Sequence, residues 1–102
     1  MSRRKHTKAD RYWRIGVIRR DKICQCCGSR KNRQAHHLNC YSYFPDERTD
    51  IDNGITLCRS CHTQFHTNFK RSFKTKCTRY DFENFMSLYL YVTKKAYEIN
   101  ND

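Results

Sequence analysis

Two Cys-x-x-Cys pairs thirty residues apart, two short strand-like stretches beside them and apolar spacing of helical period at both ends predict a small α+β domain stapled by zinc. The 102 residues suffice for one domain. A chain this short buries a limited share of its surface and often needs a staple. Only 37% of the residues are apolar and 14% are aromatic, so Trp, Tyr and Phe must carry a small core. A structural metal relieves that shortage.

Residues 1–9 form a basic tail, expected to be mobile when free and to contact phosphates through Arg3, Arg4 and Lys5. Residues 10–102 make the single domain, with its core at about 22–69. A first helix is expected over 10–20, capped by Asp10. Trp13, Val17 and Ile18 would face inward, and Arg11, Arg14, Arg19 and Arg20 outward. Gly16 weakens that helix slightly. Trp13 reads as a core anchor ahead of a base-stacking residue. Cys24-x-x-Cys27-Gly28 forms the first knuckle, where the glycine permits the tight turn that points amides at thiolates. Residues 34–38 read as a strand. Residues 39–52, with Pro45 and four acids, read as a long loop of the kind that serves function. Residues 55–57 read as a second strand, and Cys58-x-x-Cys61 runs into a helix over 59–68. Residues 69–77 are a basic connector. Thr78 caps a last helix over about 79–98, with Asp81 in its first turn and Phe82, Phe85, Met86, Tyr89 and Val92 as its packing stripe.

The zinc ligands are Cys24, Cys27, Cys58 and Cys61, each pair supplying one edge of a tetrahedron. Cys26 stands one residue from Cys24, a poorer spacing, and Cys40 and Cys77 read as isolated thiols. A redox role for the pairs lacks the βαβ context it would need. Seven cysteines is an odd number, and residues 1–14 hold no apolar export segment. A reducing cytoplasm is therefore expected, where such pairs bind metal rather than form disulfides. No run approaches membrane-spanning length, so no membrane partner is expected.

The net charge is +11. Residues 1–33 hold twelve Lys/Arg against Asp10 and Asp21, and residues 67–79 add Lys70, Arg71, Lys74, Lys76 and Arg79 with no acid. A polyanion, most simply DNA or RNA, fits that distribution. Arg3, Arg4, Lys5, Arg11, Arg14, Lys70, Arg71 and Lys74 are the candidate contacts. A merely solubilising surface is the plain alternative, and a metal site beside the basic runs favours nucleic acid.

Four of the five histidines, His36, His37, His62 and His66, fall within or just after the segment between the cysteines. A purely structural zinc knuckle does not need them. His62 and His66 stand at i and i+4, on one helical face, where they can share a metal ion. His36 and His37 are adjacent, and neighbours in a regular strand point to opposite faces. To serve one site they must stand at a strand end or twist, one binding metal and the other free as a base.

Cys24-x-x-Cys27, Ala35-His36-His37-Leu38, Asn53-Gly54-Ile55-Thr56-Leu57-Cys58-x-x-Cys61-His62 and His66 resemble the HNH endonuclease family, above all its small phage and intron-encoded members. The resemblance covers about residues 12–69. It implies a ββα-metal core, the His-Me finger, to which the capping and apolar spacing read above add flanking N- and C-terminal helices. By motif position His37 would be the general base, and Asn53 would hold the long loop so that His37 keeps its orientation. His36 and His62 would bind the catalytic metal, with His66 as a third ligand present in some members. The chemistry implied is hydrolysis of a DNA phosphodiester with Mg²⁺, Mn²⁺, Ni²⁺ or Zn²⁺, leaving 3′-hydroxyl and 5′-phosphate ends. An all-histidine set leans away from strict Mg²⁺ preference.

Three functions compete. The first is a metal-dependent endonuclease on double-stranded DNA, associated with a phage or mobile element. The second is a non-catalytic zinc-containing nucleic-acid-binding module. The third is a packaging or recombination accessory whose nuclease needs a protein partner. The histidines favour the first.

Overall fold

The computed structural model describes residues 7–68 and 76–100. In chain order they form α1 (Lys8–Asp21), β1 (Arg33–His37), β2 (Gly54–Cys58), α2 (Arg59–Asn68) and α3 (Arg79–Asn100). Two single 3-10 turns, Pro45–Glu47 and Ile51–Asn53, lie in the loop between the strands.

Helix α1 starts earlier than its sequence suggests because Thr7, not Asp10, is the cap. The Thr7 hydroxyl accepts from the Asp10 amide at 3.1 Å, and the Asp10 carboxylate accepts from the Thr7 amide at 2.9 Å. This reciprocal capping box satisfies two amides that the first turn leaves unpaired. Thr7, Lys8 and Ala9 therefore belong to the helix start rather than to the basic tail. Trp13 and Val17 face inward, and Arg11 and Arg14 face solvent.

At its other end α1 is tied to β2. The Arg20 guanidinium donates to the Ile51 and Gly54 carbonyls at 2.9 and 2.6 Å. The Asp21 carboxylate accepts from the Thr56 amide at 2.8 Å. Gly54 is the point of closest approach. A Cβ there would fall 2.4 Å from Val17 Cγ2 and 2.8 Å from Trp13 Cζ2. Its φ of −126° is open to any residue, so room for α1 is what this glycine supplies.

The strands pair antiparallel, from Arg33 opposite Cys58 to His37 opposite Gly54. β1 lies one residue earlier than expected, and Leu38 follows it with its amide bonded to the Asn53 carbonyl at 3.0 Å. One face of this hairpin packs with Phe65 of α2 and with Phe82 and Phe85 of α3, around Leu38, Leu57 and the cysteines. Thr78 and Asp81 cap α3 reciprocally, as its sequence suggests. The α3 stripe is shorter than expected. Phe82 and Phe85 are buried and Met86 is half-buried, but Val92 is 54% exposed. A helix of 22 residues rises about 33 Å, further than the small core it leans on.

Cys40 and Cys77 are neighbours rather than isolated thiols. The Cys40 amide donates to the Cys77 carbonyl at 3.0 Å, and the Cys77 amide to Cys40 Sγ at 3.3 Å. With the Arg79 amide on Asn39 Oδ1 at 2.8 Å, they dock the start of α3 against the loop. No helix among the described residues is long and apolar enough to cross a membrane.

Candidate active site

Two clusters of metal-type ligands lie beside the hairpin, and a lone imidazole, His37, stands on the strand face opposite His36. Cys24, Cys27, Cys58 and Cys61 bring their sulfurs within 4.8 Å of one another. Each pair closes its own knuckle, since the Cys27 amide donates to Cys24 Sγ at 3.4 Å and the Cys61 amide to Cys58 Sγ at 3.5 Å. Gly28 makes the first turn possible through its backbone, with φ +80° and nothing within 4 Å of an added Cβ. Burial works against the Cys24 thiolate, but surrounding amides outweigh it and bring the thiol down to about 7. Burial and the other sulfurs push Cys61 up. Thiolates crowded this closely call for a shared cation, and the donor set fits structural zinc. Cys26 stays outside the cluster, and burial raises its thiol to about 11.

His36, His62 and His66 form the second cluster, with ligand nitrogens within 4.8 Å. His36 projects from β1 toward α2, with ring centroids 5.1 Å from His62 and 5.8 Å from His66. It is 6% exposed, and its Nε2 is buried with no hydrogen-bond partner. An unsatisfied buried imidazole nitrogen is costly unless something binds it. His62 Nδ1 bonds the Gln34 side-chain oxygen at 2.8 Å. That oxygen can only accept, so Nδ1 donates and Nε2 keeps its lone pair. His62 Nε2 faces His66 Nε2 at 2.9 Å. Burial, helped by the neighbouring imidazoles, brings His36 down to about 3, and burial followed by His66 brings His62 down to about 4. Burial also lowers His66. All three are thus neutral near pH 7, the form that binds a metal. An orphaned nitrogen, an oriented neighbour and a third imidazole one turn on fit a divalent cation.

His37 occupies the opposite face of the strand, as alternation requires. Its ring stacks on Trp13 at 3.8 Å between centroids and 9° between planes, and Tyr41 meets it edge-on at 5.4 Å. Its Nε2 bonds the Arg48 carbonyl at 2.9 Å, so Nε2 is the donor and Nδ1 carries the lone pair. Arg48 is held by Tyr41, through its Nε on the Tyr41 carbonyl at 2.7 Å and its guanidinium 4.3 Å above the ring. Burial holds the His37 imidazole below its ordinary range.

Asn53 is 1% exposed and spans the loop. Its Oδ1 accepts from the Asn39 amide at 2.8 Å, and its Nδ2 donates to the Asn39 and Glu47 carbonyls at 3.0 and 3.2 Å. This side chain helps to fasten the loop that presents the Arg48 carbonyl.

A cleft of about 670 Å³ joins the two faces. His37 and His62 both line it, with Trp13, Tyr41, Arg14 and Arg33. The adjacent histidines thus do not face one another; His37 meets the imidazole cluster through His62. Of the candidate phosphate contacts, Arg14 borders the cleft and Arg11 lies exposed on the same helix. Arg3, Arg4, Lys5, Lys70, Arg71 and Lys74 lie outside the described residues. Sequence reasoning missed Gln34, Arg33 and the Arg48 carbonyl. Polar residues at the start of a strand and a backbone oxygen in a loop carry no pattern of their own.

Two antiparallel strands, a fastened loop and a histidine-bearing helix define a ββα-metal fold. Residues 24–68 match the family model described as HNH endonuclease, so this segment is an HNH domain. That match marks the segment as a nuclease-type or nucleic-acid-binding module, and its four cysteines cluster at metal-binding distance. No curated protein and no solved structure matches the chain.

Proposed function

We propose that the protein is a metal-dependent endonuclease that hydrolyses DNA phosphodiester bonds, with His37 as general base. The observation that carries this reading is the cleft lined by both His37 and His62, so that the His37 imidazole and one member of the imidazole cluster border one cavity edged by arginine. His37 takes a proton from water at Nδ1 while its Nε2–H stays on the Arg48 carbonyl, which then faces the developing imidazolium. Asn53 keeps that carbonyl in place by fastening the loop. Arg14 and Arg33 supply positive charge for the phosphate. His36, His62 and His66 would hold a divalent metal, Mg²⁺, Mn²⁺, Ni²⁺ or Zn²⁺, which when bound stabilises charge on the phosphate and the departing oxygen. Cys24, Cys27, Cys58 and Cys61 would hold structural zinc away from the chemistry.

Double-stranded DNA suits the basic α1 face and the net charge of +11. The resemblance to small phage and intron-encoded members supports a phage or mobile-element setting in host cytoplasm, with a packaging or recombination protein as the partner class to test. The test is cleavage of supercoiled plasmid across these metals. The wild type nicks or linearises it and His37→Ala does not. DNA binding without cleavage under every metal makes the chain a binding module instead, and activity that appears only with a phage packaging protein makes it an accessory.

A further inference from the structure

We propose that Trp13 is a positioning residue for the reaction: its indole fixes the plane of the His37 imidazole, so that α1, outside the matched segment 24–68, completes the site. The inference rests on the reading of His37 as base. A histidine ring turns about its last torsion in a broad, two-fold well. One hydrogen bond at Nε2 sets where that nitrogen sits but leaves the ring free to pivot about the bond. The pivot swings Nδ1, the atom that must meet the water. A stack at 3.8 Å and 9° removes this freedom, because the ring cannot tilt without entering the indole.

The indole is fixed in its turn. Its Nε1–H donates to the Asp50 carbonyl at 2.7 Å. Its six-membered ring lies against Gly54, where a Cβ would come within 2.8 Å. Asp50 also caps the turn that ends in Asn53. The two restraints on His37, the Arg48 carbonyl below and the indole beside it, are therefore both fastened to residues 50–54. A core residue at position 13 would need only apolar volume. The parallel stack and the tethered N–H are what volume does not explain.

Trp13→Phe keeps a flat ring but loses the tether, and Trp13→Met keeps bulk but loses the plane. Both are measured for single-turnover cleavage of plasmid, KM for plasmid, zinc content, Co²⁺ binding at the imidazole cluster and thermal midpoint. A 1 Å misplacement of a reacting group lowers the rate by about 100-fold, so kcat is expected to fall about 3-fold in the Phe variant and about 30-fold in the Met variant. Co²⁺ affinity stays within about 2-fold, since the imidazole cluster lies outside the stack, and the loss is larger in kcat than in KM. In the wild type, the His37 ring protons show an upfield ring-current shift that collapses in the Met variant. A folded variant with wild-type kcat overturns the proposal. So does a fall in kcat matched by an equal loss of Co²⁺ affinity, which marks Trp13 as a core residue only. If the Met variant does not fold, the Phe variant decides, and wild-type kcat in it is the overturning result. An inactive wild type, or an active His37→Ala, instead removes the base reading beneath it.

Discussion

Gln34 and Asn53 show how much of the site depends on side chains that contact no reacting group. Gln34 accepts from His62 Nδ1 at 2.8 Å and so selects the tautomer that leaves Nε2 for a metal. Partners of this kind usually shift metal affinity by about 10–100-fold. Gln34→Leu should therefore weaken Co²⁺ or Ni²⁺ binding at the histidine cluster by that order, by titration, while zinc at the four cysteines stays in place. Asn53 makes three hydrogen bonds from a fully buried amide. Asn53→Ala strands the Asn39 amide and takes a donor from the Asn39 and Glu47 carbonyls, with an expected loss of about 1–3 kcal/mol in chemical denaturation. Its cleavage rate should fall further than that loss explains, because the Arg48 carbonyl loses its support. The fastening role of Asn53 was implied by its motif position in the family resemblance, whereas its place before Gly54 by itself reads as a turn. Gln34 was not legible, because nothing in a Gln beside a strand tells which imidazole it will meet.

The elements meet where Gly54 begins β2. Val17 and Trp13 press onto it from α1, and Arg20 and Asp21 bond the strand on either side. Gly54→Ala inserts a methyl into space already filled by Val17. Overpacking of this kind costs about 1–3 kcal/mol, so a lower thermal midpoint is expected. Because the displaced indole is the one stacked on His37, the rate should fall with it. Strands, α2 and α3 were legible because short apolar runs, two knuckles and reciprocal Thr–Asp caps each leave a local mark. The start of α1 was misread by position because two capping side chains, Thr7 and Asp10, stand three residues apart and either could be the cap in isolation. The end of the α3 stripe was misread because periodicity reports which face is apolar, not how far a neighbour extends along it.

For the molecule as a whole, metal and proton compete for the same donors. Removing zinc from the four cysteines with a strong chelator should unfold the domain, seen as loss of helical circular dichroism, because so small a core depends on its staple. Acid should act in the same direction. His36 and His62 lie near 3 and 4 when folded, below the ordinary value of 6.5, so the unfolded chain binds more protons in between. Stability is then full above about pH 6.5 and declines as pH falls from there toward 4 and 3. Denaturation midpoints measured from pH 7.5 to 4 should fall steadily, and metal should leave the histidine cluster over the same range.

Spacing alone determined the four-cysteine cluster, the hairpin and the helix that bears His62 and His66, because metal knuckles, strands and helices are local geometries written in residue intervals. It also carried the resemblance to the HNH endonucleases. Strand alternation turns His36 and His37 to opposite faces, and the tertiary structure alone decided that the two faces meet at the cleft lined by His37 and His62. It alone decided that an indole from α1 lies flat on His37, and that Cys40 stands beside Cys77. Those contacts join residues 24 to 37 positions apart, and separations of that length are set by how the helix, hairpin and loop pack, not by any local interval.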